Sequence, residues 1–143
     1  MTFEPTAELT LGSRRRAIEA RQHVAGLLRR RRFKTSTQGE AICTTIAPHA
    51  IDELSDLLAA VDAALDAFRQ ERLHPRVVEE VLGITSRERR RWTKDGRLPQ
   101  SGSGSFRRGR QSIHFALHPA TKIAALARQP ETIDACRNED ENP

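Results

Sequence analysis

Two short helical patterns joined by a turn restrict the fold of this 143-residue chain more than any other feature. The first pattern, "PRVVEEVL", places its apolar residues on one face, and Gly83 after it can adopt the left-handed conformation that ends a helix. In the second pattern, "TSRERRRWTKDG", Thr85 and Glu88 have the spacing of a capping box, and Gly96 is a second C-terminal cap. The sequence therefore predicts a helix-turn-helix arrangement.

The residues after this helix pair predict a hairpin and a closing helix. After Gly96, "RLP" predicts the start of a strand, and the "SGSGS" run that follows is flexible. "SIHFAL" predicts a returning strand with alternate apolar residues on one face. Pro119 suits the first turn of a last helix, whose Ile123 and Leu126 point back to the core.

The segments "LGIT", "RRWTKDGRLP" and "RRGR", in this order, resemble the winged helix-turn-helix of the mercury-resistance-regulator (MerR) and excisionase group. The resemblance covers residues 75–128. It implies a winged helix-turn-helix domain whose wing is residues 100–113, with "SGSGS" at its tip. With the helical N-terminal region that the periodicity predicts, the fold class is mainly α with a small β wing. Arg89 and Thr93 depart from the group, which has aliphatic residues there. The second helix is then either rotated or shortened, or Arg89 lies along the core edge with its head in water.

Cations recur on one face of the second helix and again in the wing. Residues on the helix could read guanine edges or hold phosphates, while wing arginines suit the backbone or a narrow minor groove. Each cation alone is more simply a solvated charge, but the cluster within this motif favours DNA. The candidate DNA-binding residues are Ser86, Arg87, Arg90, Arg91, Lys94, Arg107, Arg108 and Arg110. Trp92 is expected in the core rather than on a stacking surface.

The net charge of +5 is unevenly distributed. Residues 1–34 carry +6 and residues 76–128 carry +8, whereas 35–75 carry −5 and 129–143 carry −4. Two basic blocks on either side of an acidic one suggest two parts that bind a polyanion and a part between them that does not.

The N-terminal half predicts mostly helix. Residues 1–12 are expected to be disordered, 13–74 to form a helical and dimerisation region with possible short strands at 33–46, and 129–143 to form a disordered acidic tail. Within 48–73, six apolar residues are spaced 3, 4, 3, 4, 3, as in a coiled-coil seam. These are Ile51, Leu54, Leu58, Val61, Leu65 and Phe68.

Two interpretations of this seam are open. It packs within its own chain, covered by the basic helix 13–32 through Ile18, Val24 and Leu28, or it pairs two chains. Only 37% of the residues are hydrophobic, so a small core slightly favours a homodimer.

Enzyme chemistry has little support in the sequence. The absence of tyrosine excludes a tyrosine recombinase or relaxase nucleophile, and no zinc-ligand spacing, phosphate-binding loop or nucleophile elbow is present. We therefore expect no catalytic residue, metal or cofactor. Cys43 and Cys136 have no metal-site spacing and suit reduced cytosolic thiols. No secretory signal or membrane-spanning run is found, so we expect a location in the bacterial cytoplasm or nucleoid.

Two function classes follow. The first is a sequence-specific protein that binds double-stranded DNA, either a transcription regulator or an excisionase-like architectural factor from a phage, plasmid or integrative element. The second is a protein-interaction module, such as an antiactivator or antitoxin, whose helix-turn-helix binds a second regulatory protein. RNA binding is a weaker third class, because the chain offers no aromatic stacking surface.

Overall fold

The computed structural model describes all 143 residues, and the chain divides into two compact units, Met1–Arg69 and Gln70–Pro143. The fold is mainly helical with small antiparallel sheets, as predicted. The boundary lies slightly before the expected one at 74/75. Leu73 pairs with His118 in an isolated β-bridge, which joins the residues before Pro75 to the second unit.

The first unit packs two long helices with a three-stranded sheet. Its sheet has the order β1-β3-β2, with both neighbouring pairs antiparallel. The elements are β1 (Thr2–Phe3), α1 (Ala7–Thr10), α2 (Arg14–Arg30), β2 (Thr35–Gln38), β3 (Ala41–Thr44), a 3-10 turn (Pro48–Ala50) and α3 (Ile51–Gln70). The strands expected at 33–46 are therefore present as the β2–β3 hairpin.

Residues 1–12 are ordered, so the expectation of a disordered N-terminus is wrong. Phe3 pairs with Ile42 across β1 and β3, and the amino group of Met1 donates to the Thr44 carbonyl at 2.8 Å. Leu9 is buried in a small cluster with Ala20 and Phe68. Phe3 and Leu9 are isolated apolar residues that form no periodic pattern, yet Leu9 becomes buried and Phe3 half-buried against the rest of the unit.

The core of the first unit determines which face of α3 is buried. Leu57 and Val61 pack with Val24 and Leu28 of α2, while Phe68 is buried in the neighbouring cluster. Helix α2 therefore covers α3, although Ile18 is exposed and does not take part.

The coiled-coil interpretation is wrong for Val61 and Phe68, which are buried within their own unit. The buried face of α3 is centred nearer to Leu57, which lies off the predicted seam. Ile51 and Leu58 consequently remain exposed, at 61% and 44% of their surface, and Leu54 and Leu65 are half-buried.

A buried arginine joins the ends of two helices in this unit. The Arg16 guanidinium donates to the Leu9 carbonyl at 3.0 Å and to the Phe68 carbonyl at 2.7 Å. It also lies 4.2 Å from the centre of the Phe68 ring. The last carbonyls of a helix have no partner within it, so this side chain supplies one for α3.

The second unit surrounds the single tryptophan. Its elements are α4 (Pro75–Leu82), α5 (Ser86–Asp95), β4 (Ser103–Arg108), β5 (Gln111–Ala116), α6 (Ala120–Ala127) and α7 (Pro130–Glu141). Trp92 is buried, as predicted. The capping box of Thr85 and Glu88 is confirmed, and Gly83 and Gly96 both have positive φ at the helix ends.

The hairpin turn differs from its prediction. The turn falls at Gly109, which has φ of 64°, and the "SGSGS" run leads into β4 instead of forming the tip. Gly104 lies under the Phe115 ring, where an added Cβ would be 2.6 Å from a ring carbon. This glycine is therefore required by close packing rather than by flexibility.

The acidic C-terminus forms helix α7, so the expectation of a disordered tail at 129–143 is wrong. Ile133 is its one buried residue. The remaining attachment is electrostatic, because carboxylates of α7 pair with arginines of the same unit. Composition alone gives no information about such partners.

The imidazole of His118 is completely buried. Its Nδ1 lies 2.6 Å from the Pro99 carbonyl and must donate to it, while Nε2 has no hydrogen-bond partner. Burial lowers the pKa of His118; the Pro99 hydrogen bond raises the pKa, and the charge of Arg89 lowers it again, so the net direction is downward.

We expect acid to destabilise the second unit through this residue. The unfolded chain takes up a proton near the ordinary pKa of 6.5, and the folded chain does so only at lower pH. The free energy of unfolding should therefore fall below that pH, by at most about 1.4 kcal/mol per pH unit. Urea unfolding, followed by Trp92 fluorescence at several pH values, measures the effect.

Asparagine in place of His118 keeps a donor for the Pro99 carbonyl but does not titrate. His118→Asn should lose most of the pH dependence, whereas His114→Asn at an exposed position should keep it. Equal pH dependence in the wild type and in His118→Asn would contradict the assignment.

Candidate nucleic-acid interface

Helix α5 separates its residues into a buried side and a basic side. Arg89 and Trp92 are buried. At 100° per residue, the five predicted residues of this helix lie within an arc of about 140°. Those residues are Ser86, Arg87, Arg90, Arg91 and Lys94.

Arg89 is buried in an ion pair instead of reaching water. Its exposure is 8%, and its Nε donates to the Glu79 carboxylate of α4 at 2.9 Å. The Thr93 hydroxyl donates to the Arg89 carbonyl at 2.6 Å. The Arg89–Glu79 ion pair bridges the two helices, and α5 is not shortened, since it runs to Asp95. The sequence predicted either a rotated or shortened helix or an Arg89 head group in water, and none of these includes a buried ion pair.

The neighbours of Glu79 stabilise its charged form. Burial would raise the pKa of this carboxyl, but hydrogen bonds from Arg89 and Ser86 outweigh burial and lower it. The Ser86 hydroxyl is thus engaged within the helix pair. The hydroxyl of Ser86, one of the predicted DNA-binding residues, therefore lies beside Glu79.

A groove of about 380 Å³ lies between α5 and the hairpin. Arg90, Thr93 and Lys94 line it from the helix, and Gln100 and His114 line it from the hairpin side. Thr93, Gln100 and His114 had not been predicted as site residues. They are far apart in sequence, and no local motif joins them.

The strand register places the three hairpin arginines at different positions, two on opposite sheet faces and one in the turn. Arg107 pairs with Ser112, on the same sheet face as His114. Arg108 pairs with Gln111 on the opposite face, and Arg110 lies in the turn. Arg107 shares its face with His114 of the groove, Arg108 shares the other face with Phe115, and the three arginines do not form one surface.

Arg91 is not a free cation. Its Nε lies 3.2 Å from the Asp140 carboxylate of α7, which also accepts from Trp92 Nε1 at 2.9 Å and from Arg97 at 2.6 Å. The Arg97 hydrogen bond is the main cause of the lowered pKa of Asp140. About half of the Arg91 side chain remains exposed. Arg91 is therefore solvent-facing, as predicted, but its guanidinium is paired because α7 is folded.

A second contact attaches α7 to the turn of the helix pair. Arg137 donates to Glu88 at 2.8 Å and to the Gly83 carbonyl at 3.0 Å. The Arg137 hydrogen bond is the main cause of the lowered pKa of Glu88. Glu88 therefore serves both the capping box and α7.

Comparison of the chain with protein-family models, curated protein sequences and solved structures gives no significant match. None of the helices is both long and apolar enough to cross a membrane. No group of three or more His, Cys, Asp and Glu side chains is placed to hold a metal ion.

We expect Arg89→Met to destabilise the second unit by about 3 kcal/mol, since it leaves the largely buried Glu79 carboxylate without its main partner. The double variant Glu79→Leu/Arg89→Met removes both charges and should regain most of that loss. Urea unfolding followed by Trp92 fluorescence measures both. If the double variant has a free energy of unfolding no higher than that of Arg89→Met, the pair does not bridge the helices.

Proposed function

We propose that the chain binds double-stranded DNA sequence-specifically, as a transcription regulator or an excisionase-like architectural factor. In this proposal residues 75–128 form a winged helix-turn-helix, with α5 as the recognition helix and the β4–β5 hairpin as the wing. The observation that carries the proposal is the groove between α5 and the hairpin, where Arg90 and Lys94 are exposed without a carboxylate partner.

The pairing of arginines in this unit supports the assignment. Arg89, Arg97 and Arg137 each form ion pairs that hold helices together. The exposed cations of α5 and the hairpin, apart from Arg91, have no ion pair. These are Arg87, Arg90, Lys94, Arg107, Arg108 and Arg110. Clustered like charges repel one another, and a bound polyanion relieves this repulsion.

The side chains suit contacts with both bases and phosphates. Arg90 on the recognition helix can bind a guanine edge with two hydrogen bonds, and Lys94 can bind the same edge or a phosphate. Gln100 and His114 add hydrogen-bonding groups to the groove. Arg107 and Arg110 can follow the backbone or a narrow minor groove.

We also propose that two chains pair through the exposed edge of α3. Ile51 and Leu58 lie there with the half-buried Leu54, after the rest of the helix is used by its own core. A two-fold dimer predicts a pseudo-palindromic site with half-sites about 10 bp apart, or a multiple of this.

Binding to a second regulatory protein is the alternative function, and one observation favours it. Phe106 is 51% exposed on the hairpin face opposite to Arg107 and contacts the Phe115 ring at 6.1 Å between centroids. Exposed aromatic residues are enriched at protein interfaces. The alternative predicts that Phe106, and not Arg90 or Lys94, is essential.

We expect Arg90→Ala/Lys94→Ala to weaken binding to a duplex selected from a random-sequence pool by roughly 100-fold, if each residue contributes 1–3 kcal/mol. Urea unfolding should be unchanged, because both side chains are exposed. The matched control is Lys122→Ala/Arg128→Ala, which removes the same charge from exposed positions of α6 and its end. Fluorescence anisotropy at fixed salt measures both. Equal losses in the two variants, or no duplex binding by the wild type, would overturn the proposal.

The dimer has its own test. Ile51→Asp/Leu58→Asp should give monomers in sedimentation equilibrium and a lower DNA affinity, because a charge cannot be buried at the pairing surface without a partner. Ile18→Asp, at an exposed apolar position of α2, should remain dimeric. A wild type that is monomeric at tens of micromolar would refute the pairing.

A further inference from the structure

We propose that the end of α2 carries a second phosphate-binding site, separate from the groove, which binds the backbone of duplex DNA without regard to sequence. The site is the α2 basic cluster, which consists of Arg29, Arg30, Arg31, Arg32 and Lys34. It rests on the proposed function for the identity of the polyanion, and it extends DNA contact to the first unit.

The cluster is exposed and unpaired. No carboxylate lies within 4.0 Å of any of its cations. Three exposed or half-buried arginines elsewhere in this unit behave differently: Arg15 pairs with Glu19, Arg21 with Glu40 and Arg69 with Asp66. These five unpaired cations within six residues therefore set the cluster apart from them.

Local helix stability does not account for these side chains. Cations near a helix C-terminus interact favourably with its dipole, but the effect is confined to the last turn and would explain Arg29 and Arg30 only. The carbonyls of Leu28 and Arg29 are already satisfied by the backbone, since Phe33 N donates to the Leu28 carbonyl at 2.9 Å and Arg32 N to the Arg29 carbonyl at 3.0 Å. This is a Schellman motif, and it needs no cationic cap.

Arg32 occupies the position of that motif where glycine is usual. Its φ is 64°, in the left-handed region that a side chain disfavours. The chain thus has a cation where glycine would relax the backbone. The conformation directs the chain out of α2 into β2, and it holds Arg32 and Lys34 on either side of the partly buried Phe33.

Hydroxyl groups lie beside the two cations. A depression of about 460 Å³ is lined by Arg32 and Lys34 together with Thr35, Ser36 and Thr45. The backbone beneath it is fixed, because the Thr44 hydroxyl donates to the Lys34 carbonyl at 2.7 Å. Arginine, lysine and hydroxyl donors around a concave surface are the groups that contact phosphate oxygens in protein–DNA complexes.

Duplex DNA fits this chemistry better than other polyanions. Single-stranded nucleic acid is held largely by base stacking on aromatic rings, and the one aromatic here, Phe33, packs against the core. A membrane surface would favour exposed apolar residues among the cations, and the cluster contains none. The regular row of phosphates in duplex DNA requires neither stacking aromatic rings nor exposed apolar residues.

The test is the salt dependence of DNA binding by the full-length chain. The variant Arg31→Ala/Arg32→Gly/Lys34→Ala removes three cations that lie beyond α2 and relaxes the backbone at residue 32. Each lost phosphate contact should reduce the slope of log K against log salt by about 0.9, so we expect a reduction of roughly two to three units. Affinity should fall equally for selected and unselected duplexes, leaving the ratio between them unchanged.

A matched control separates this effect from net charge and from folding. Arg15→Ala/Arg21→Ala/Arg69→Ala removes the same charge from the same unit, and its slope should stay close to that of the wild type. The melting temperature of the cluster variant should not fall, because Arg32→Gly relieves a strained residue. A loss of folding would appear in circular dichroism. In that case the double variant Arg31→Ala/Lys34→Ala replaces the triple variant, and its expected reduction in slope is smaller.

The possible outcomes distinguish this site from the groove. A wild-type slope in the cluster variant, with selective binding intact, overturns the second site and leaves the proposed function standing. Salt-dependent but unselective binding that the cluster variant loses supports the second site and removes the sequence-specific function. Cluster-dependent binding to phosphatidylserine vesicles, with DNA binding unaffected, would assign the cluster to lipid headgroups and overturn the inference.

Discussion

The carboxylate of Asp140 is the group on which the second unit most depends. It accepts hydrogen bonds from the buried Trp92 and from Arg97, and it pairs with Arg91 at the edge of the basic face. A buried indole N–H without an acceptor would be unfavourable, so α7 completes the core of this unit. In a chain with few apolar residues, one carboxylate thus links the tryptophan to the last helix.

The same electrostatic constraint sorts the arginines of this unit by role. Arginines that face other helices meet a carboxylate, as Arg89 meets Glu79, and these pairs hold helices at fixed positions. Cations on the groove side have no such partner and remain available to an external anion. The distinction supports the proposed DNA-binding role, because the unpaired Arg90 and Lys94 line one groove beside helices that the paired arginines hold in place.

The first unit also contains a buried arginine and a separate group of exposed cations. Arg16 is buried on backbone carbonyls and an aromatic ring, while the α2 basic cluster points to solvent without partners. Helix α3 uses most of its apolar surface for its own core and leaves only the Ile51–Leu58 edge exposed. Both units therefore contain a stabilised interior and a separate exposed surface suited to a partner.

The sequence by itself determined the features whose signals are local. The capping box at Thr85, the glycines that end α4 and α5, and the limits of the main helices each depend on residues a few positions apart. Tertiary structure alone decided the contacts between distant residues: the Asp140 network, the Arg89–Glu79 pair, the face of α3 that is buried, and the order of the N-terminus. Helical periodicity shows that a helix has an apolar stripe, but its rotation toward the core depends on which surfaces the rest of the chain provides. A lone carboxylate or phenylalanine likewise carries no sequence signal of its partner, since the fold creates that partnership.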